Sequence, residues 1–144
     1  MSRDAPFSPE SQDHLTDQLA KLAPFAEVFD APDFSFGEWV PSTRQPDGAQ
    51  TVPWFDFSSA ALEFLRAAPV SPEVHWPDWS KTDEARRLLA DPAAVADATP
   101  DQLVALLTTM IRGDRFSEGT LAHFYETGHL RAIIRRASEL APLE

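Results

Sequence analysis

Apolar residues recur at two periods along this chain, and the change of period sets out its elements. Leu15, Leu19 and Leu22 recur at helical spacing behind Ser8-Pro9-Glu10. That triplet offers an N-cap, a proline at the first helical position and an early acid, so a helix is expected from there to about Leu22. Pro24 breaks it, and Phe25, Val28 and Phe29 predict a short second turn of helix ending near Asp30. The period then falls to two. Phe34, Phe36 and Glu38 point one way, while Ser35, Gly37 and Trp39 point the other, which predicts a strand. Pro41 to Gly48 is turn chemistry throughout, with Asp47-Gly48 as a strong turn pair. Thr51 to Phe57 reads as a return strand, and Pro53, which has no N–H to donate, makes it an edge strand or extended arm. A small β-hairpin is the expectation.

Helical spacing returns afterwards. Ser58 or Asp56 is expected to cap a helix that carries Ala61, Leu62, Phe64 and Leu65 and ends before Pro69. The proline-rich stretch from Val70 to Trp79 is expected to cross the surface, pinned by Trp76 and Trp79. Thr82-Asp83-Glu84 opens a short helix through Leu88 and Leu89, and Asp91-Pro92 restarts the chain through Val95. Thr99-Pro100-Asp101-Gln102 combines an N-cap, a proline at N1 and a capping-box glutamine. Leu103, Leu106, Leu107, Met110 and Ile111 follow as one apolar stripe. Gly113 is placed to end this helix as a left-handed C′ residue, and Asp114 to cap the next, which carries Leu121, Phe124 and Tyr125 and stops at Gly128. The last helix runs from about His129 to Leu140, with Leu130, Ile133, Ile134 and Ala137 inward and Arg131, Arg135 and Arg136 outward. The expected fold class is α+β, mainly α: a compact helical domain with a small β-hairpin inserted in the N-terminal half. Residues 1–7 are expected as a flexible tail and 8–144 as a single globular domain, since no repeat, low-complexity tract or linker interrupts the chain.

Composition narrows the chemistry. The 144 residues contain no cysteine, which excludes a disulfide framework, a thiolate metal site and a cysteine nucleophile, and fits a reducing cytoplasm. No apolar run approaches a membrane span and the N-terminus lacks a signal-peptide core, so a soluble cytoplasmic protein with no membrane association is expected. The net charge is −11. Residues 1–78 carry four basic residues against thirteen acids, while residues 100–144 carry five against six. An acidic chain repels phosphates, so nucleic acid is not expected as a partner. Solubility is the plain reading of the acidity; a docking surface for a basic partner and a nucleic-acid mimic are the sharper ones.

The densest chemistry lies in Arg112-Gly113-Asp114-Arg115-Phe116-Ser117-Glu118-Gly119. One reading is structural: glycine for the turn, Asp114 as a cap, the arginines on helix-end carbonyls, and Phe116 as a plug. The other is an anion or carboxylate pocket built from Arg112, Asp114, Arg115 and Glu118 beside a helix N-terminus. The structural reading is the economical one, because caps and terminal glycines are common and catalytic sites are few. His14, His75, His123 and His129 fall in no metal-ligand spacing, and His123 and Glu126 are placed to pair on a helix surface. There is no Gly-x-Ser-x-Gly elbow and no glycine-rich phosphate loop. No metal or cofactor is expected.

The run from Leu106 through Gly119 resembles a bacterial family of small domains of unknown function. That family is marked by an Arg-Gly-acid-Arg-Phe-small-acid-Gly junction, and often carries cysteine where Ser117 stands. Phe36-Gly37-Glu38-Trp39, Asp47-Gly48 and Pro53-Trp54-Phe55 look like the family's aromatic hairpin, and residues 128–140 like its arginine-bearing helix. The resemblance implies no activity, substrate or cofactor.

Trp39, Trp54, Trp76 and Trp79 all lie in irregular or edge segments. They serve either as lids over the core or as an aromatic patch for a partner, and lids are the favoured reading. Two functions are therefore carried forward. The first is a non-catalytic protein-binding or accessory module using the acidic, tryptophan-bearing N-terminal half. The second is a small-anion-binding protein or enzyme using the cluster at 112–119. The protein is expected as a monomer, or as a homodimer through its last helix.

Overall fold

Leucine spacing builds the first helix. The computed structural model describes residues 9–50, 52–71, 74–114 and 119–140, with side chains from residue 15 onward. Helix α1 (Pro9–Ala20) buries Leu15 and Leu19, and the chain turns through a buried Leu22 rather than continuing as helix. Its expected cap, Ser8, and the tail at 1–7 lie outside the described residues. Helix α2 (Phe25–Asp30) buries Phe29 and leaves Val28 partly exposed.

Strands β1 (Gly37–Val40) and β2 (Trp54–Phe57) pair antiparallel, Gly37 with Phe57, Glu38 with Asp56, Trp39 with Phe55 and Val40 with Trp54. The turn forms where Asp47-Gly48 predicts it. The Asp47 carboxylate accepts from the Ala49 N–H at 2.9 Å, and the Gly48 N–H donates to the Gln45 carbonyl at 2.9 Å. The expected alternation fails at one residue. Phe36 points into the core, but so does the face bearing Gly37, Trp39, Phe55 and Phe57, so Glu38 lies on the outer face, opposite in phase to Phe36. Gly37 permits the phase change: its φ is +151°, and a Cβ there would lie 2.3 Å from the Asp56 carbonyl oxygen.

Helix α3 (Ser59–Ala67) is capped by Ser58, not Asp56; the Ser58 hydroxyl accepts from the Ala61 N–H at 3.1 Å. It buries Ala61 and Phe64. Leu62 was expected in the apolar stripe and is instead 40% exposed, because only the Ala61–Phe64 side of this short helix meets the core. A single turn, α4 (Trp76–Trp79), precedes α5 (Asp83–Ala90), which Thr82 caps. A 3-10 turn (Pro92–Asp97) follows, capped by Asp91.

Helix α6 (Pro100–Asp114) opens on the reciprocal capping box. Gln102 Oε1 accepts from the Thr99 N–H at 2.9 Å, while the Thr99 hydroxyl accepts from the Gln102 N–H at 3.3 Å. Leu103 to Thr108 are all buried, so α6 is enclosed nearly all round. Thr108 ties the preceding loop to it. Its hydroxyl donates to the Val104 carbonyl at 2.7 Å and accepts from the Ser71 N–H at 3.1 Å. Helices α7 (Thr120–Glu126) and α8 (His129–Leu140) complete the fold, with α8 lying against α1, α2, α7 and the 3-10 turn. Leu130, Ile133, Ile134 and Ala137 face inward as the spacing predicts. Arg136 is less outward than expected; its Nε donates to the Ala98 carbonyl at 2.8 Å. Gly113 does not end α6 in a left-handed conformation. It is helical, and Gly119, with φ +97°, is the left-handed residue at this corner. The architecture is α+β, mainly α, with one two-stranded hairpin among the described residues.

Candidate functional site

Aromatic packing fixes the hairpin to the helices. Phe36 stacks on Tyr125 of α7 at 4.8 Å with rings 8° from parallel, and meets Phe55 and Phe57 at 6.1 and 5.7 Å. Phe29 joins Phe34, Phe36, Phe64 and Tyr125 into the same cluster. Trp39 lies edge-on to Phe55 at 5.5 Å and rests on the bare Cα of Gly119, where a Cβ would come within 2.6 Å of the indole. Trp39 therefore closes the corner before α7 while remaining 49% exposed.

The outer face of the hairpin has the opposite character. Glu38 and Asp56, both exposed, stand directly opposite each other, and Trp54 (45% exposed) stands opposite Val40 on the same face. Val52, just before β2, is 77% exposed. Two carboxylates in a directly opposed cross-strand pair repel each other, an arrangement that works against the hairpin. Trp76 and Trp79 are elsewhere, partly buried against the core on α4, with Trp79 Nε1 donating to Glu84 at 3.0 Å. The four tryptophans thus fall into two separate groups.

At the junction, Asp114 is committed to the backbone. One of its carboxylate oxygens accepts from the Gly119 N–H at 3.2 Å and the Leu121 N–H at 3.1 Å, so it holds the start of α7. Arg112 faces another way, lining a cleft of about 260 Å³ with Val74, His75, Trp76 and Pro77. Arg115 and Glu118 lie outside the described residues, as does the Phe116 plug. Of the remaining cations, Arg131 is bound most firmly. Its guanidinium lies 5.8 Å from the centre of the Tyr125 ring, pairs with Asp30 and donates to the Phe29 carbonyl at 2.8 Å. Tyr125, and then Asp30, hold it more firmly protonated than a free arginine. Arg131 thereby satisfies a terminal carbonyl of α2 from α8.

Residues 14–142 match the profile of a family of unknown function (DUF6508). The chain belongs to that family. No curated protein and no solved structure matches it. The DUF6508 description names no activity, so what the site can do rests on its own geometry.

Within this DUF6508 domain no group of three or more His, Asp or Glu is placed to hold a metal among the described residues, and no described helix is long and apolar enough to cross a membrane. His123 makes no ion pair with Glu126 there; its ring packs on Phe124 at 5.2 Å. His75 instead pairs with Asp78 at 2.8 Å on the surface. His129 is buried, with Nε2 3.0 Å from the Leu88 carbonyl and Nδ1 2.6 Å from the Thr127 hydroxyl. Burial holds its imidazole below the usual pKa, against the opposing bond to Leu88. The hydrophobic pattern alone does not single out the opposed pair Glu38 and Asp56. Centring the hairpin on Asp47 gives that register, since Arg44 and Gln50 also face each other about the same point.

Proposed function

We propose that this protein is a non-catalytic binding module that takes a cationic, extended segment of a protein partner on the outer face of its hairpin. The observation that carries the reading is the exposed Glu38–Asp56 pair beside Trp54. Directly opposed like charges weaken a hairpin, and departures from local stability rules concentrate at functional sites. An arginine or lysine laid between the two carboxylates relieves their repulsion, and the indole beside them offers a face for its stem or its charge. The excess of acid over residues 1–78 attracts such a segment from a distance. Asp114 is already spent on two backbone N–H groups, which draws support away from an enzyme built on the 112–119 cluster. A cysteine-free acidic chain suits a reducing cytoplasm, and the likeness of its junction to a bacterial family points to a bacterium.

The experiment is a backbone-amide NMR titration with a short peptide alternating arginine and valine, repeated at raised salt. The expected result is saturable shifts at residues 38–40 and 54–56 that fade with salt and vanish in the Glu38→Gln, Asp56→Asn double variant. Shifts confined to other surfaces, or binding that survives the double substitution, would overturn the reading.

A further inference from the structure

A cavity of about 370 Å³ opens between α2 and α8, away from the hairpin's outer face. Its α8 wall uses positions 131, 134, 135, 138 and 139, the i, i+3, i+4 pattern of one helix face. The lining is mostly apolar: the exposed Ala26 offers its methyl group, and Phe29 and Ile134, both core residues, close the base with only their edges. Arg131 also lines the cavity, and its charge is used by Asp30 and the Phe29 carbonyl. One turn on, Arg135 lines the same cavity and has no ion-pair or hydrogen-bond partner among the described residues. The Ser138 hydroxyl donates to the Ile134 carbonyl at 2.9 Å, which leaves its oxygen able to accept. Glu139, exposed to solvent, completes the lining.

We propose that this cavity is a binding site for a small amphipathic carboxylate, with the carboxylate on Arg135 and the apolar body against Ala26 and over the edges of Phe29 and Ile134. The cavity falls in the size range of small-molecule sites, which join an apolar lining to a few fixed polar groups. At about 30 Å³ per water-sized atom it holds roughly a dozen non-hydrogen atoms. A planar guanidinium matches a carboxylate with two parallel hydrogen bonds. A phosphate monoester fits less well. It would bring up to two negative charges to one available cation, with Asp30 and Glu139 on the same rim. The site is independent of the hairpin reading, and either can fail alone.

The test is calorimetry of the full chain with octanoate and 4-phenylbutyrate, with octanol and octylammonium as controls of the same length. Both carboxylates should saturate in the sub-millimolar to millimolar range while octanol and octylammonium bind at least tenfold more weakly. Arg135→Gln should weaken octanoate by tenfold or more, and Ala26→Phe, which fills the mouth from an exposed helix position, should abolish it. The proposal is overturned if neither carboxylate saturates, if octylammonium binds as well as octanoate, or if Arg135→Gln leaves the affinity unchanged. Sedimentation showing a dimer that Ala26→Phe dissociates would also overturn it, because a second copy would then fill the cavity.

Discussion

His129 makes the stability of this protein depend on pH, and the dependence has a definite sign. The ring is 1% exposed, and it joins the first turn of α8 to the last turn of α5. A carbonyl only accepts, so Nε2 carries a proton and donates to Leu88 at 3.0 Å. In the neutral ring Nδ1 then accepts from the Thr127 hydroxyl at 2.6 Å. When Nδ1 gains a proton, that hydroxyl can turn to the Phe124 carbonyl, 3.0 Å away, and accept from the ring instead. The hydrogen bonds thus survive protonation, and burial is the main opposition to the charge. His123 adds to that opposition, while Asp91 and the Leu88 carbonyl work against it. The folded pKa is therefore below the unfolded value of 6.5. Between those two values the unfolded chain binds more protons, so stability rises with pH across that window. The contribution is complete above 6.5 and is lost as pH falls through the folded pKa.

Two substitutions separate the proton from the hydrogen bond. His129→Phe leaves the Leu88 carbonyl without its partner and should cost about 1–3 kcal/mol at pH 7.5. At this chain length that is a fall of roughly 3–5 °C in Tm for each kcal/mol. His129→Gln keeps a donor for the carbonyl but cannot titrate, so it should cost less than His129→Phe. Urea unfolding followed by tryptophan fluorescence from pH 5 to 8 measures all three proteins. Both variants should lose the part of the slope below pH 6.5 that the wild type shows. An unchanged slope in His129→Phe, or one that becomes steeper, would refute the argument.

Three further outcomes follow from packing. Gly119→Ala combines a positive φ with a collision against Trp39, and should destabilise by at least the 1–3 kcal/mol typical of a strained backbone. Adding Trp39→Ala should recover only the steric share, which a double-mutant cycle in urea detects as non-additivity. Thr108→Val preserves shape but removes the acceptor for the Ser71 N–H, and should cost about 1–3 kcal/mol by thermal unfolding; a neutral result would show that the loop before α4 is held by other bonds. Glu38→Gln should stabilise the isolated fold by about 0.2–1 kcal/mol, in contrast to its expected loss of partner binding; a destabilised variant would mean that the opposed carboxylates do not repel.

What could be read in the sequence was local. Thr82, Ser58 and the Thr99–Gln102 box signal helix starts because each side chain bonds a backbone group three residues away. Asp47-Gly48 signals its turn for the same reason. The inward stripe of α8 was also legible, because helical spacing alone decides it. The failures share a cause. Gly113 and Gly119 flank one junction, and nothing local says which adopts positive φ; a side chain from β1, Trp39, is what rests on the second. The phase of β1 was missed because Gly37 breaks the alternation between Phe36 and Trp39. Arg131 and His129 reach carbonyls at Phe29 and Leu88, and a backbone acceptor leaves no mark in the sequence. Of the candidate site residues, the tryptophans could be named from the sequence. Their division between α4 and the hairpin followed from the tertiary fold.

The same aromatic cluster explains how a hairpin this small can present a binding face. A two-stranded sheet is marginal alone in water, and this one also carries two opposed acids on its exposed side. Its stability must come from the other side, where Phe55 and Phe57 pack on Phe36, which in turn meets Tyr125 and Phe29. Tyr125 is in turn held beneath the Arg131 guanidinium, which α2 fixes through Asp30 and Phe29. The inner face thus makes the outer one affordable: strong packing behind the strands tolerates repulsion in front. The two proposed sites also share structure, because Phe29 and Arg131 both line the α2–α8 cavity and support the cluster behind the hairpin. Glu38, Asp56 and Trp54 stand on the strands that this pair supports from behind. Any coupling between the two sites would then be reciprocal, with each ligand changing the other's affinity by the same factor.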